Sequence, residues 1–161
     1  MVTIEVEPVA TVVGGHLHVR DDYQAGVKSI IRINEKYPLE TLQGIEEFSH
    51  LLVLWHFHLA RPEDVQLHAR SPRGDTRWPA TGTFVHCNHR RPNQLGTSTP
   101  ELLDVDGRDL LVTGLDAVDG TPIVDIKPYM LQFAPPREKV RQPAWPGEML
   151  ADYWRDASER P

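Results

Sequence analysis

The sequence predicts a mainly β protein, either a barrel or a sandwich. Short apolar segments recur along the chain with the length and alternation of strands. Tight-turn dipeptides, Asp106-Gly107 and Asp119-Gly120, separate the later segments. No Gly-rich turn follows a strand and opens a helix, which argues against a doubly wound nucleotide-binding fold.

Each element has its own signal. Thr3 to Glu7 alternates, with Ile4 and Val6 on one face and Glu5 and Glu7 on the other, the pattern of a half-buried strand. A second apolar stretch, Val9 to Val13, stops at Gly14-Gly15. In Val27 to Ile33 the positions Ser29, Ile31 and Ile33 share a face. A short helix is expected within Pro38 to Phe48. Leu51 to His58 is a continuous run of large side chains and suits a buried strand. Arg61 to Pro79 is poor in apolar residues and rich in Pro, Arg, Asp and Gly, a long surface loop. Further strands are expected at Gly82 to His86, Leu102 to Val105, Leu110 to Leu115 and Ile123 to Ile126. Beyond Gln132 the chain is proline-rich. It closes in a helix from Glu148 to Glu159, where Met149, Leu150, Tyr153, Trp154 and Ala157 form one apolar stripe.

The 161 residues fit one domain, 1–161. The formal net charge is -6, so a large basic footprint on nucleic acid is not expected, although a local basic patch would suffice for RNA. The lone Cys87 rules out an internal disulfide, which fits a cytoplasmic protein. No secretory signal and no membrane-spanning run are expected. Two groups of possible metal ligands stand out: His50, His56 and His58 share parity, and His86, Cys87 and His89 lie close together. Their spacing fits no standard zinc module. His86 or His89 also suits a general base, and a free cysteine such as Cys87 is often a small apolar filler.

Three segments resemble one family. Gly44-Ile45-Glu46-Glu47-Phe48-Ser49-His50-Leu51, with Leu54-Trp55-His56-Phe57-His58, is similar to the pattern "GLE-x-F-SHL … F-x-FH". Gly82-Thr83-Phe84 and Arg91-Pro92-Asn93-Gln94-Leu95-Gly96-Thr97-Ser98 are similar to "GVFATRSPxRPNPIGxS". Leu115 to Tyr129 resembles "LDxxDGTPVxDIKPY" almost residue for residue. On these motifs the chain resembles, over about residues 5–132, the TsaA-like (TrmO) family of S-adenosylmethionine-dependent tRNA N6-adenine methyltransferases. The resemblance implies a closed single-sheet β-barrel with short peripheral helices and a C-terminal helix. It also implies a homodimer that binds S-adenosyl-L-methionine near its interface and methylates a modified adenosine beside the anticodon.

Carried over by motif, the cofactor-binding positions are Phe57, His58, Cys87, Thr97, Thr113, Gly114, Leu115 and Asp116. Arg91, Asn93 and His89 fall where the acceptor is expected. Cys87-Asn88-His89 replaces the family's Arg-Ser-Pro, and Gln94 replaces the second proline of "RPNP". An arginine at position 87 would pair bidentately with a carboxylate or phosphate; a cysteine cannot. These departures bear on the acceptor, which is tRNA or a small molecule. Two other readings differ in class: a non-catalytic S-adenosylmethionine-binding protein, and a metal-dependent β enzyme using the histidines.

The chemistry tolerates several roles for these side chains. Asp116, an acceptor-only group, suits ribose hydroxyls or an ammonium, and equally a turn-stabilising role before Asp119-Gly120. His58 suits a ligand contact or a hydrogen-bonded rim position. Arg91 and Asn93 suit phosphate, carboxylate or base edges, or a loop locked by backbone bonds. Asp125, Lys127 and Tyr129 alternate and share one strand face, as an active-site wall or as a structural ion pair.

Overall fold

The computed structural model describes residues 2–160. Seven strands form one antiparallel sheet: β1 (Ala10–Val13), β2 (Lys28–Ile33), β3 (Leu51–His56), β4 (Leu95–Ser98), β5 (Glu101–Asp106), β6 (Asp109–Thr113) and β7 (Pro122–Pro128). Their order across the sheet is β4-β3-β7-β1-β2-β6-β5. Alternation decides which side chains go inside. Ser29, Ile31 and Ile33 of β2 face the core as their parity predicts. Ala10, Val12, Leu51, Val53, Trp55, Leu110, Val112 and Ile123 join them there. Asp106-Gly107 turns β5 back onto β6, where Asp106 pairs with Asp109.

The sheet is not closed into a barrel, which corrects the expected fold. β4 and β5 are its two edges, although they are consecutive in sequence and separated only by Thr99-Pro100. The seam across the gap joins the start of β3 to β5: Leu51 N donates to Pro100 O (3.0 Å) and Leu102 N to Ser49 O (2.8 Å), beside one isolated bridge between His50 and Glu101. Pro100 has no N–H to return, so no ladder forms across the seam.

Four local expectations also change. Thr3 to Glu7 is not a strand; Ile4 and Val6 are exposed and find no partner strand. Gly82 to His86 holds a single 3-10 turn, Thr83–Val85, with Phe84 in solvent. Pro38 to Phe48 forms two 3-10 turns, Leu39–Leu42 and Ile45–Glu47, in place of one helix. The C-terminal helix is only α1 (Trp145–Met149), with Pro146 in its first turn. It stops because the following backbone bonds elsewhere: Tyr23 N donates to Asp152 O, Gln24 N to Tyr153 O and Ala25 N to Arg155 O. Residues 150–157 therefore lie as a strap along residues 23–25. No helix among the described residues is long and apolar enough to cross a membrane.

Candidate functional site

The site begins with the packing of Trp55. Its indole Nε1 donates to Ser98 Oγ across the β3–β4 pair (3.1 Å), which orients the ring. Gly96 makes room for that ring, because a Cβ at Gly96 would lie 2.5 Å from it. Phe57, just past the end of β3, packs edge-on against Trp55 with ring centroids 4.4 Å apart. The two rings form the aromatic wall of a cavity of about 270 Å³. The β1–β2 connection and residues 116–121 supply the other walls, with Asp64 and His89 at the side. That volume lies near the lower end for small-molecule sites.

Polar groups converge on the same cavity. The Tyr153 hydroxyl, from the strap, donates to Asp116 Oδ2 (3.1 Å). Burial pushes the Asp116 carboxyl above its usual range, and the Tyr153 bond and the His16 ring oppose that shift. Burial, reinforced by the Asp116 carboxylate, pushes the Tyr153 phenol strongly upward. His58 Nδ1 lies 3.3 Å from Thr121 Oγ1, and Gly120 lies beside its Nε2. His16 and Gln24 are among the residues that line the cavity, and His16 Nε2 and Gln24 Oε1 are buried there without a hydrogen-bond partner of good geometry. Burial holds the His16 imidazole below its usual value, with the neighbouring Gln24 side chain opposing. Gln24 Nε2 donates to Arg20 O (3.3 Å), so its oxygen is the end left for a ligand. Buried polar groups without partners are costly and rare, and a ligand with complementary polar edges would satisfy these two.

The structure thus brings Phe57, His58, His89 and Asp116 into one cavity. The other motif positions fall outside it. Thr113 Oγ1 donates to Val27 O (2.9 Å), and Leu115 is buried in the core. Gly114 has φ +76° and lies against the Trp154 ring. Thr97 pairs with Leu54 in the β3–β4 ladder. Cys87 is exposed. The Arg91 guanidinium donates to His86 O (2.8 Å), and Asn93 is exposed. Asp125 and Lys127 form an exposed ion pair. His16, Gln24 and Thr121 were not anticipated. The first two come from an irregular connection, where no periodicity marks a facing position.

No group of three or more His, Cys, Asp or Glu side chains among the described residues is arranged to hold a metal ion. The His86 ring instead bonds to Thr81, and His50 Nδ1 to Ser49 Oγ.

Fold and cavity together define a small antiparallel-sheet domain with an aromatic-walled cavity and, among the described residues, no Rossmann-type unit. The chain belongs to the tRNA-methyltransferase O N-terminal domain family, which it matches over residues 19–134. It is 31% identical over 129 residues to the Homo sapiens tRNA (adenine(37)-N6)-methyltransferase, covering 78% of this chain and 27% of that protein. It is 38% identical over 131 residues to a probable S-adenosyl-L-methionine-binding protein of Methanothermobacter thermautotrophicus, covering 78% of this chain and 90% of that one. The crystal structure of TrmO from Pseudomonas aeruginosa superposes with a TM-score of 0.67 at 25% identity, covering 87% of this chain and 61% of that one. The chain spans about a quarter of the length of its human and mouse relatives.

Proposed function

We propose that this chain is an S-adenosylmethionine-dependent methyltransferase acting on N6 of an adenosine in the tRNA anticodon loop. One observation carries the reading. Motif residues Phe57, His58 and Asp116 converge on the cavity where His16 and Gln24 leave two buried polar atoms without partners. The family match and the activity named for the human relative support it.

The cavity's chemistry fits S-adenosyl-L-methionine. Phe57 offers an aromatic face to an adenine or a sulfonium cation. Asp116 accepts from ribose hydroxyls or the ammonium, and His16 with Gln24 presents a polar edge. When bound, the cofactor supplies a methyl group on a good leaving group, so positioning does most of the catalytic work. Arg91 and Asn93 hold the acceptor from the adjoining loop, and His89 at the cavity wall takes the proton that the exocyclic amine loses. The protein works in the cytoplasm as a homodimer. Anticodon-loop bases are already unstacked, so a small footprint suffices despite the net charge of -6.

A binding-only role is the second reading, favoured by the archaeal relative whose length this chain nearly covers. Incubating the protein with methyl-tritiated cofactor and either total tRNA or a small-metabolite extract separates the cases. Label in N6-methylated adenosine after nuclease digestion of the tRNA is expected. Label only in the metabolites would redirect the acceptor, and no label in either, with cofactor binding intact, would leave a binding protein. Arg91→Ala and Asn93→Ala are expected to lower transfer more than cofactor affinity; unchanged transfer in both would assign that loop a structural role.

A further inference from the structure

Residues 61–91 contain six arginines and only three carboxylates. Arg61 pairs with Asp64 and Glu63, Arg77 with Asp75, and Arg73 reaches out of the segment to Asp22. Among the described residues, Arg70, Arg90 and Arg91 have no carboxylate within ion-pair distance. Neutral oxygens hold them instead. Arg70 Nη1 donates to Gln66 O (3.3 Å) and Thr83 Oγ1 (3.2 Å), and its Nη2 donates to Asn88 Oδ1 (3.2 Å). Arg90 Nη1 donates to Gln66 Oε1 (3.1 Å), and Arg90 N donates to the same Asn88 Oδ1 (3.2 Å).

Two residues, Gln66 and Asn88, therefore fasten Arg70 and Arg90 side by side. Burial, and after it the charge of Arg90, holds the Arg70 guanidinium below its usual value. Two like charges fixed together without a counter-charge form a site for an anion. Each guanidinium keeps unused N–H donors, since the group carries five. Arg90 is exposed, and the residue before it, His89, lines the cavity. Arg90 thus follows directly on a residue of the cavity wall, with Arg70 fastened to the same Asn88.

We propose that Arg70 and Arg90 clamp backbone phosphate of the acceptor RNA next to the nucleotide that enters the cavity. The inference rests on the RNA reading above and adds the contact that holds the strand. It places the positive charge locally on a protein that is acidic overall. It assigns the pair to the acceptor and not to the cofactor, whose carboxylate is the other anion in reach.

The test uses the whole protein and a fluorescently labelled anticodon stem–loop RNA, with binding followed by anisotropy between about 50 and 200 mM salt. The double variant Arg70→Gln/Arg90→Gln is expected to bind RNA at least about tenfold more weakly and to lower the slope of log K against log salt by about 1.4, the loss of two single-strand phosphate contacts. Cofactor affinity by calorimetry and Tm are expected to stay at wild-type values. Arg70→Lys/Arg90→Lys keeps both charges and is expected to retain most of the slope, separating charge from loop scaffolding. An unchanged slope in the glutamine variant, an equal loss of cofactor binding, or no RNA binding by the wild type overturns the clamp. If wild-type protein binds this RNA through the arginines yet transfers no methyl group to it, the clamp stands and the methyltransferase reading falls. If transfer occurs and the glutamine variant is indistinguishable from wild type, only the clamp falls.

Discussion

Asp116 has two opposed consequences at one position. Its carboxyl is buried and bound by Tyr153, and burial dominates, so its pKa lies above the ordinary 3.8. The folded state therefore holds a proton that the unfolded chain has already released, and stability falls as pH rises from about 3.8 through the raised value. Asp116→Asn keeps an oxygen for Tyr153 and removes the charge. At neutral pH the ligand-free variant is expected to melt higher than wild type by scanning calorimetry, while its affinity for S-adenosylmethionine falls. A lower Tm would show that the Tyr153 bond outweighs the desolvation. The family resemblance pointed to Phe57, His58 and Asp116, and the structure brings these three side chains to one cavity. His16 and Gln24 were not, because irregular backbone carries no period from which to read a facing side chain. Thr113 and Leu115 show the reverse: they lie in a matched motif, yet one side chain satisfies the Val27 carbonyl and the other fills the core.

Among the elements, β4 backs the site through Trp55 without lining it, and was the strand least visible in the sequence. Leu95-Gly96-Thr97-Ser98 has one large apolar residue, so neither alternation nor β-propensity marks it. Its pairing with β3 makes it a strand, and Gly96 is the point of closest contact, under the Trp55 ring. Gly96→Ala forces that ring to shift and is expected to cost about 1–3 kcal/mol, as overpacking does. Because Trp55 backs Phe57, the same change is expected to weaken cofactor binding and alter tryptophan fluorescence. Wild-type Tm together with wild-type affinity would rule out this chain of contacts. β2, β3, β5, β6 and β7 were legible because their apolar residues alternate or run continuously between turn signals. Thr3 to Glu7 alternates equally well and stays outside the sheet, since a pattern supplies a face but no neighbour.

For the molecule as a whole, the same limit explains the barrel. Alternation tells which face of a strand is buried, and an open sheet can bury that face as a closed one does. Whether the edges join depends on a few backbone groups, here on the imide nitrogen of Pro100, which donates nothing. Association is the molecular-scale prediction. Phe84, Leu131 and Phe133 are each at least 78% exposed, apolar side chains that association would take out of water. Light scattering at concentrations well above those used for assays is expected to give twice the chain mass, and a monomer there would end the homodimer proposal.

The strap carries a consequence for motion. Its grip consists of a few backbone bonds to residues 23–25, the Tyr153–Asp116 bond and the Trp154 ring over Gly114, whereas β2 is paired on both sides and buried. Such a segment opens as its own unit at a lower free energy than the sheet. Opening releases the amides of Gln24 and Ala25 together and removes the partner of Asp116 in the same event. In deuterated water those two amides are expected to exchange at a common rate, faster than Ile31 in β2. Saturating S-adenosylmethionine is expected to slow both by the same factor, so that the exchange clock of two backbone hydrogens reads out occupancy of the cavity.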